Sequence, residues 1–269
     1  MNFGARVLAA QKEFGPVVFG IDPHAQLLTD WGLEDSVFGL AKFTEIAVEA
    51  FAGHVGFVKP QSAFFERFGS AGIAILEEAI AELRSANTMV ILDAKRGDIG
   101  STMTAYAQAY LDKSSPMFSD AITLSPFLGM GSLEPAFQMA RQNDAGVFVL
   151  AQTSNPEGVQ VQAAQRDGVS VSLAILRSLA EMNSGEQPLG SFGAVVGATI
   201  VPGGEDYSIN GPILVPGVGA QGGTEESVRE LFGSSASGIL PAVSRAVLAA
   251  GPDAEKLRAA ARKEQLNWN

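Results

Sequence analysis

Apolar residues along this chain gather into short, nearly continuous runs, most of them closed by a glycine, proline, aspartate or serine. Eight such runs predict strands: 17–22, 55–59, 89–95, 121–126, 147–153, 193–198, 212–218 and 237–243. Between them the spacing changes to a helical period. In 35–51 the apolar positions are Val37, Leu40, Ala41, Ile46, Ala47 and Phe51, behind acidic capping residues. Segments 73–83, 103–111, 133–140, 169–182, 225–232 and 254–261 repeat the pattern. The connection 200–211 is the exception, carrying Pro202-Gly203-Gly204 and no helical period.

Strands that are apolar throughout, rather than alternating, are buried on both faces, as in a parallel sheet. Eight strand–helix units in 269 residues match the size of one closed (β/α)8 TIM barrel. A doubly wound open sheet is the competitor. It usually shows a glycine-rich turn after its first strand, and here that turn reads Asp22-Pro23-His24. No linker or change of composition divides the chain, so a single barrel domain over 1–269 is expected.

Composition narrows the chemistry. The chain has no cysteine, which removes disulfides, zinc–thiolate sites and thiol nucleophiles. Its two histidines, His24 and His54, are too few for a three-histidine metal site. A net charge of −11 argues against a nucleic-acid partner, although a few local cations can still hold a small anion. No apolar run approaches the length of a membrane span, and 1–15 lacks a signal-peptide core. A soluble cytoplasmic protein is the expectation.

In a (β/α)8 barrel the reactive groups lie at the C-terminal ends of the strands. The densest polar group there is Asp93-Ala94-Lys95-Arg96-Gly97-Asp98, directly after Met89-Val90-Ile91-Leu92. Asp93 and Lys95, two apart on a strand, project to one face, whereas Asp98 lies beyond Gly97 and points elsewhere. Charge clusters are most often solvated surface, but one at the edge of a buried strand is seldom unpaired. Lys59 and Asp22 close neighbouring strands, so four charges of alternating sign share one mouth. Adjacent carboxylates keep both lysines protonated, which disfavours a Schiff-base role. After strand seven comes Pro216-Gly217-Val218-Gly219-Ala220-Gln221-Gly222-Gly223, and strand eight ends at Arg245. A glycine cluster alone is only a turn. Beside an arginine, in the loops after strands seven and eight, it is expected to hold a phosphate.

These residues carry a resemblance. Asp93-Ala94-Lys95-Arg96-Gly97-Asp98-Ile99-Gly100 resembles the D-x-K-x-x-D-I signature of the orotidine 5'-phosphate decarboxylase family. Phe57-Val58-Lys59-Pro60, Gly20-Ile21-Asp22 and the 216–222 loop are similar to its strand-two lysine, strand-one aspartate and phosphate loop. The surrounding texture looks like the longer bacterial subgroup. The resemblance implies cofactor-free loss of CO2 from orotidine 5'-phosphate to give UMP, the last step of pyrimidine nucleotide synthesis, with no metal. Lys95 would protonate C6, Asp93 would sit beside the departing carboxylate, and Lys59 would orient that carboxylate and contact the ribose. Asp22 would bind a ribose hydroxyl and Ser154 would read the pyrimidine. Pro216, Gly217 and Gly219 would belong to the phosphate loop, Gln221 would bridge base and phosphate, and Arg245 would hold the phosphate. The implied partner is a second copy of the chain, with Asp98, Ile99 and Thr102 completing the neighbour's site.

Two alternatives stay open. Related sugar-phosphate enzymes share D-x-K-x-x-D but bind Mg²⁺ through carboxylates, one of them on strand two, where this chain has Lys59. A non-catalytic sensor of phosphate ligands on the same barrel is the other. Several residues read as structural: Met130, Phe64 and Phe65 as packing, His54 as surface, His24 as a satisfied neighbour of the site and Glu205-Asp206 as solvated. The glycine-rich segment 202–210 is a candidate lid over the phosphate. Strand eight departs from the family by reading Ser244-Arg245 in place of a Gly-Arg pair.

Overall fold

Each of the eight apolar runs forms a parallel strand, and the eight close into a barrel in sequence order. They are β1 (Val18–Ile21), β2 (Phe57–Pro60), β3 (Met89–Arg96), β4 (Ala121–Leu124), β5 (Gly146–Gln152), β6 (Phe192–Val196), β7 (Ile213–Val215) and β8 (Ile239–Val243). The computed structural model describes residues 1–200, 205–219, 222–233 and 237–268. β1 pairs with both β2 and β8, Val18 lying opposite Phe57 on one side and Ala242 on the other, which closes the ring. Every residue of β1, β2, β4, β6 and β7 is buried. Helices therefore cover the outside while side chains fill the inside, the physical reason the runs are apolar throughout.

Alternate residues on each strand point inward. The interior cluster holds Val18, Phe57, Met89, Ile91, Ala121, Phe148, Val195, Leu214, Leu240 and Ala242. Adding an even number to these positions leads to the residues at the mouth: Asp22, Lys59, Asp93, Thr123, Pro216 and Ser244. The parity that fills the core thus aims the polar groups into the opening.

The opposite end is closed by a helix that the apolar pattern did not reveal. Residues Phe3–Phe14 form it, with Asn2 accepting from the Ala5 amide as N-cap. Phe3 and Val7 join the interior cluster, and Phe3 meets Phe148 edge-on at 5.9 Å. Gly146 makes this possible, because a Cβ there would lie 2.3 Å from the Phe3 ring. Arg6 pairs with the buried Asp120, whose other oxygen accepts from the Val90 amide at 2.9 Å.

The predicted helices appear with modest changes of boundary. Gly69–Ser85, Gly100–Leu111, Glu225–Phe232 and Ala254–Asn267 contain the expected segments, and the 35–51 segment forms Val37–Phe51, capped by Ser36. A 3-10 turn, Met130–Leu133, precedes Glu134–Asn143. Ser170 caps Val171–Met182, so Val169 and Ser170 belong instead to a two-strand ribbon with Gln165 and Arg166. The β6–β7 connection shows no helix among its described residues. Its stretch 202–204, part of the candidate lid, lies outside them.

Candidate active site

A cavity of about 630 Å³ opens at the C-terminal ends of the strands, on the axis of the barrel. Asp22, Lys59, Asp93, Lys95, Ser154, Pro216, Gly217 and Arg245 all line it. Asp93 is its electrostatic centre. Lys59 Nζ lies 3.0 Å from Asp93 Oδ2, and Lys95 Nζ lies 2.6 Å from Oδ1. Thr123 Oγ1 donates to Oδ1 at 2.8 Å, and the Asp93 carbonyl accepts from Gln61 Nε2 at 3.2 Å.

Asp93 and Lys59 are each only 7% exposed. Burial alone would raise the Asp93 pKa, but the Lys59 and Lys95 charges and the bonds from Lys95 and Thr123 outweigh it. The carboxyl is held well below its ordinary value. Burial also works against the Lys59 ammonium. The Asp93 and Asp22 carboxylates overcome it and raise that pKa.

Lys95 reaches the same face as Asp93 by an irregular route. Its φ is +47°, a left-handed conformation that costs a non-glycine residue on the order of 1–3 kcal/mol. Between Leu92 and Arg96 the β3–β4 register slips, four residues of β3 spanning two of β4. The simple two-apart reading predicts the face correctly and misses this bulge. Its backbone N–H, displaced from the ladder, donates to Thr123 Oγ1 at 3.0 Å.

Beyond the bulge Asp98, Ile99 and Thr102 do not line the cavity. Asp98 Oδ1 accepts from the Ile99 amide at 2.8 Å, and Ile99 and Thr102 are exposed at the start of Gly100–Leu111. The argument from spacing separated Asp98 from Asp93 and Lys95, and the structure does the same.

The other side of the mouth is built from loops. Gly217, Gly219 and Gly222 all have positive φ, at 95°, 74° and 89°. The turn closes on itself, Gly219 N–H donating to the Gly223 carbonyl and Gly223 N–H to that of Gly217. Gly219 is therefore engaged within the loop and does not line the cavity. Gln221 lies outside the described residues. Thr224 then caps Glu225–Phe232 in a reciprocal box with Ser227. Arg245 is exposed at the rim and makes no ion pair among the described residues. Asp22 Oδ1 and Ser244 Oγ are buried without hydrogen-bond partners among the described residues. Both residues line the cavity, so a ligand bearing hydroxyl or phosphoryl oxygens would meet two atoms that still need partners.

Some residues differ from their structural reading. Phe64 lines the cavity, 6.0 Å edge-on from His24, whereas Phe65 is fully buried and Met130 packs on the core as expected. His24 Nδ1 accepts from the Leu27 amide, capping Ala25–Asp30. Glu205 is not simply solvated: Gln152 Nε2 donates to it at 3.1 Å, and Tyr207 Oη donates to Gln152 at 2.7 Å. Thr123, Gln61 and Ser244 are site residues that strand-end reasoning passed over. Thr123 sits inside its strand, and only a polar residue at inward parity in an apolar run signals it.

No three His, Cys, Asp or Glu side chains are grouped as a metal-holding set among the described residues. No described helix is long and apolar enough to cross a membrane.

Comparison with known proteins places the chain in a family and matches its fold. The orotidine 5'-phosphate decarboxylase / HUMPS family matches residues 15–260. The orotidine 5'-phosphate decarboxylase of Streptomyces coelicolor is 57% identical over 261 residues, covering 96% of this chain and 94% of that protein. That of a Nocardioides species is 59% identical over 250 residues, 91% of each chain. A solved structure from Streptomyces avermitilis, described as a candidate orotidine 5'-phosphate decarboxylase, superposes with a TM-score of 0.96 at 55% identity, covering 98% of this chain and 94% of the other. The chain belongs to the orotidine 5'-phosphate decarboxylase / HUMPS family of enzymes.

Proposed function

We propose that this enzyme removes CO2 from orotidine 5'-phosphate to give UMP without a cofactor. The observation that carries the reading is the Asp93 carboxylate held between the Lys59 and Lys95 ammonium groups on the floor of the cavity. In the reaction the bond from C6 to the carboxylate carbon breaks, its electron pair stays on C6, and Lys95 donates a proton there. Water later returns a proton to the lysine. A positioned ammonium interacts more strongly with the charge developing on C6 than with the neutral carbon of the ground state, so it lowers the barrier. Asp93 lies next to the departing carboxylate, and the repulsion favours its loss. Lys59 orients that carboxylate and touches the ribose.

The rest of the cavity supplies binding. Asp22 takes a ribose hydroxyl and Ser154 the pyrimidine edge. Pro216, Gly217 and Arg245, which line the cavity, surround the phosphate, and Gly219 shapes the turn that carries Gly217. Holding the phosphate places C6 against Lys95, so binding far from the bond that breaks is used at that bond. Asp98, Ile99 and Thr102 act in the site of a second copy, in a homodimer. The exposure of Ile99 and Thr102, and the absence of all three from the lining of their own cavity, support this arrangement.

The Lys59 ammonium beside Asp93 favours the metal-free reading over a magnesium-dependent sugar-phosphate reaction, because a divalent ion at that carboxylate would face it. The test is the fall in ultraviolet absorbance of orotidine 5'-phosphate with purified protein, with and without EDTA. Equal rates support the proposal. Loss of activity in EDTA restored by Mg²⁺ supports the magnesium reading, and no turnover in either overturns catalysis on this substrate.

A further inference from the structure

The hydroxyl of Thr123 connects the two reacting-end groups that the mechanism needs in register. Thr123 lies on β4 at inward parity and is 1% exposed. A hydroxyl carries one proton and can accept through its lone pairs. Here the oxygen accepts from the Lys95 backbone N–H at 3.0 Å, and the proton is directed to Asp93 Oδ1 at 2.8 Å. The first bond supplies the partner that the slipped β3–β4 ladder does not give Lys95. The second falls on the same carboxylate oxygen that Lys95 Nζ reaches at 2.6 Å. Backbone, hydroxyl, carboxylate and ammonium therefore form a closed ring that returns to Lys95. Without it, the left-handed φ of +47° at Lys95 has one support fewer, and Asp93 loses a bond that fixes its orientation.

We propose that Thr123 is a positioning residue for proton transfer: through its two hydrogen bonds it holds Lys95 in its left-handed conformation and Asp93 in the matching orientation. It does not touch the substrate's reacting atoms itself. The proposal rests on the reading of Lys95 as the proton donor. Its effect is on the chemical step rather than on phosphate or ribose binding, because the residue sits on the far side of the cavity from Pro216, Gly217 and Arg245 in the strand order.

Two conservative variants separate positioning from packing. Thr123→Val keeps the branched shape and removes the hydroxyl, whereas Thr123→Ser keeps the hydroxyl and removes the methyl. Positioning predicts that Val lowers kcat by roughly 10- to 100-fold with KM within threefold of wild type, the scale of a small misplacement of a reacting group. Ser then stays within threefold in both constants. Packing alone predicts the reverse order. Val within twofold of wild type, or Ser the weaker of the two, overturns the proposal.

Crystal structures of the variants give a readout independent of turnover. Lys95 keeps its positive φ in Ser and leaves it in Val, and an unchanged Lys95 in Val overturns the proposal as well. Thr123→Ala serves as the hydroxyl-free variant if Val does not fold. Absence of wild-type activity on orotidine 5'-phosphate would instead count against the functional reading, leaving the structures to judge the role of Thr123 at Lys95.

Discussion

On the β2–β4 side of the mouth, both carboxylate oxygens of Asp93 have partners inside the protein, and Lys59 and Asp93 are almost fully buried. On the side formed by β7, β8 and β1, Asp22 Oδ1 and Ser244 Oγ have none, and Arg245 stands exposed without an ion pair among the described residues. The first side has its geometry before any substrate arrives. Preorganised charges of this kind act on a transition state without reorganising at the moment of reaction. The second side is completed by what binds there, because a buried polar atom recovers its desolvation penalty only when a partner comes. The contrast implies a division of labour, chemistry on one side and capture on the other.

The sharpest way to break that division is Lys95→Ala. Loss of the proton donor and its charge should lower kcat by roughly 10³-fold or more, with circular dichroism and melting close to wild type. Near-normal kcat would remove the chemistry from this side.

Asp93→Asn tests whether the charged array is internally balanced. Neutralising one partner leaves the Lys59 ammonium buried, at a cost on the order of 3 kcal/mol at pH 7. The depressed pKa of Asp93 sets the pH dependence. Its contribution is full above the unfolded carboxyl value near about 4 and is lost as pH falls below that toward the folded value. The stability gap between wild type and Asp93→Asn, followed by chemical denaturation, should therefore narrow in acid. A gap that widens there would contradict the arrangement.

Arg245→Ala should act on the opposite side, raising KM roughly 10- to 100-fold, the scale of lost charged hydrogen bonds to phosphate, and changing kcat less. An unchanged KM would leave the capture side without its cation. The smallest expected effect is a local one. UMP at ten times its Kd should slow exchange of amides that open only in the free enzyme by about tenfold, and do so around Gly217 and Ser244. Amides of β3 and β4 should change less. Equal protection on both sides would erase the contrast.

The two sides also differ in how much of them can be read from residues alone. Asp93, Lys95 and Lys59 are visible because charges abut buried strands, a placement that needs partners. Asp22 is visible because it directly follows the last residue of β1, whereas Arg245 stands two residues beyond β8, at the start of the short helix Arg245–Leu248. Thr123, buried within an otherwise apolar strand, is not. Nor is the left-handed turn at Lys95, since the bulge arises from pairing between β3 and β4 and leaves no mark in either strand by itself. The helix Phe3–Phe14 escapes for a related reason, because its role depends on Gly146 being open to receive Phe3 across the barrel.

Local pattern determined the strands, the outer helices and the closed barrel, because burial on two faces requires runs that are apolar throughout. It also determined which charges reach the mouth, because side-chain parity along a strand is set by the backbone. Only the tertiary structure decided which charge meets which, how Thr123 joins Lys95 to Asp93, and which atoms remain open at the rim. Those are contacts between strands far apart in the chain, and their distances depend on register and closure that no single segment encodes.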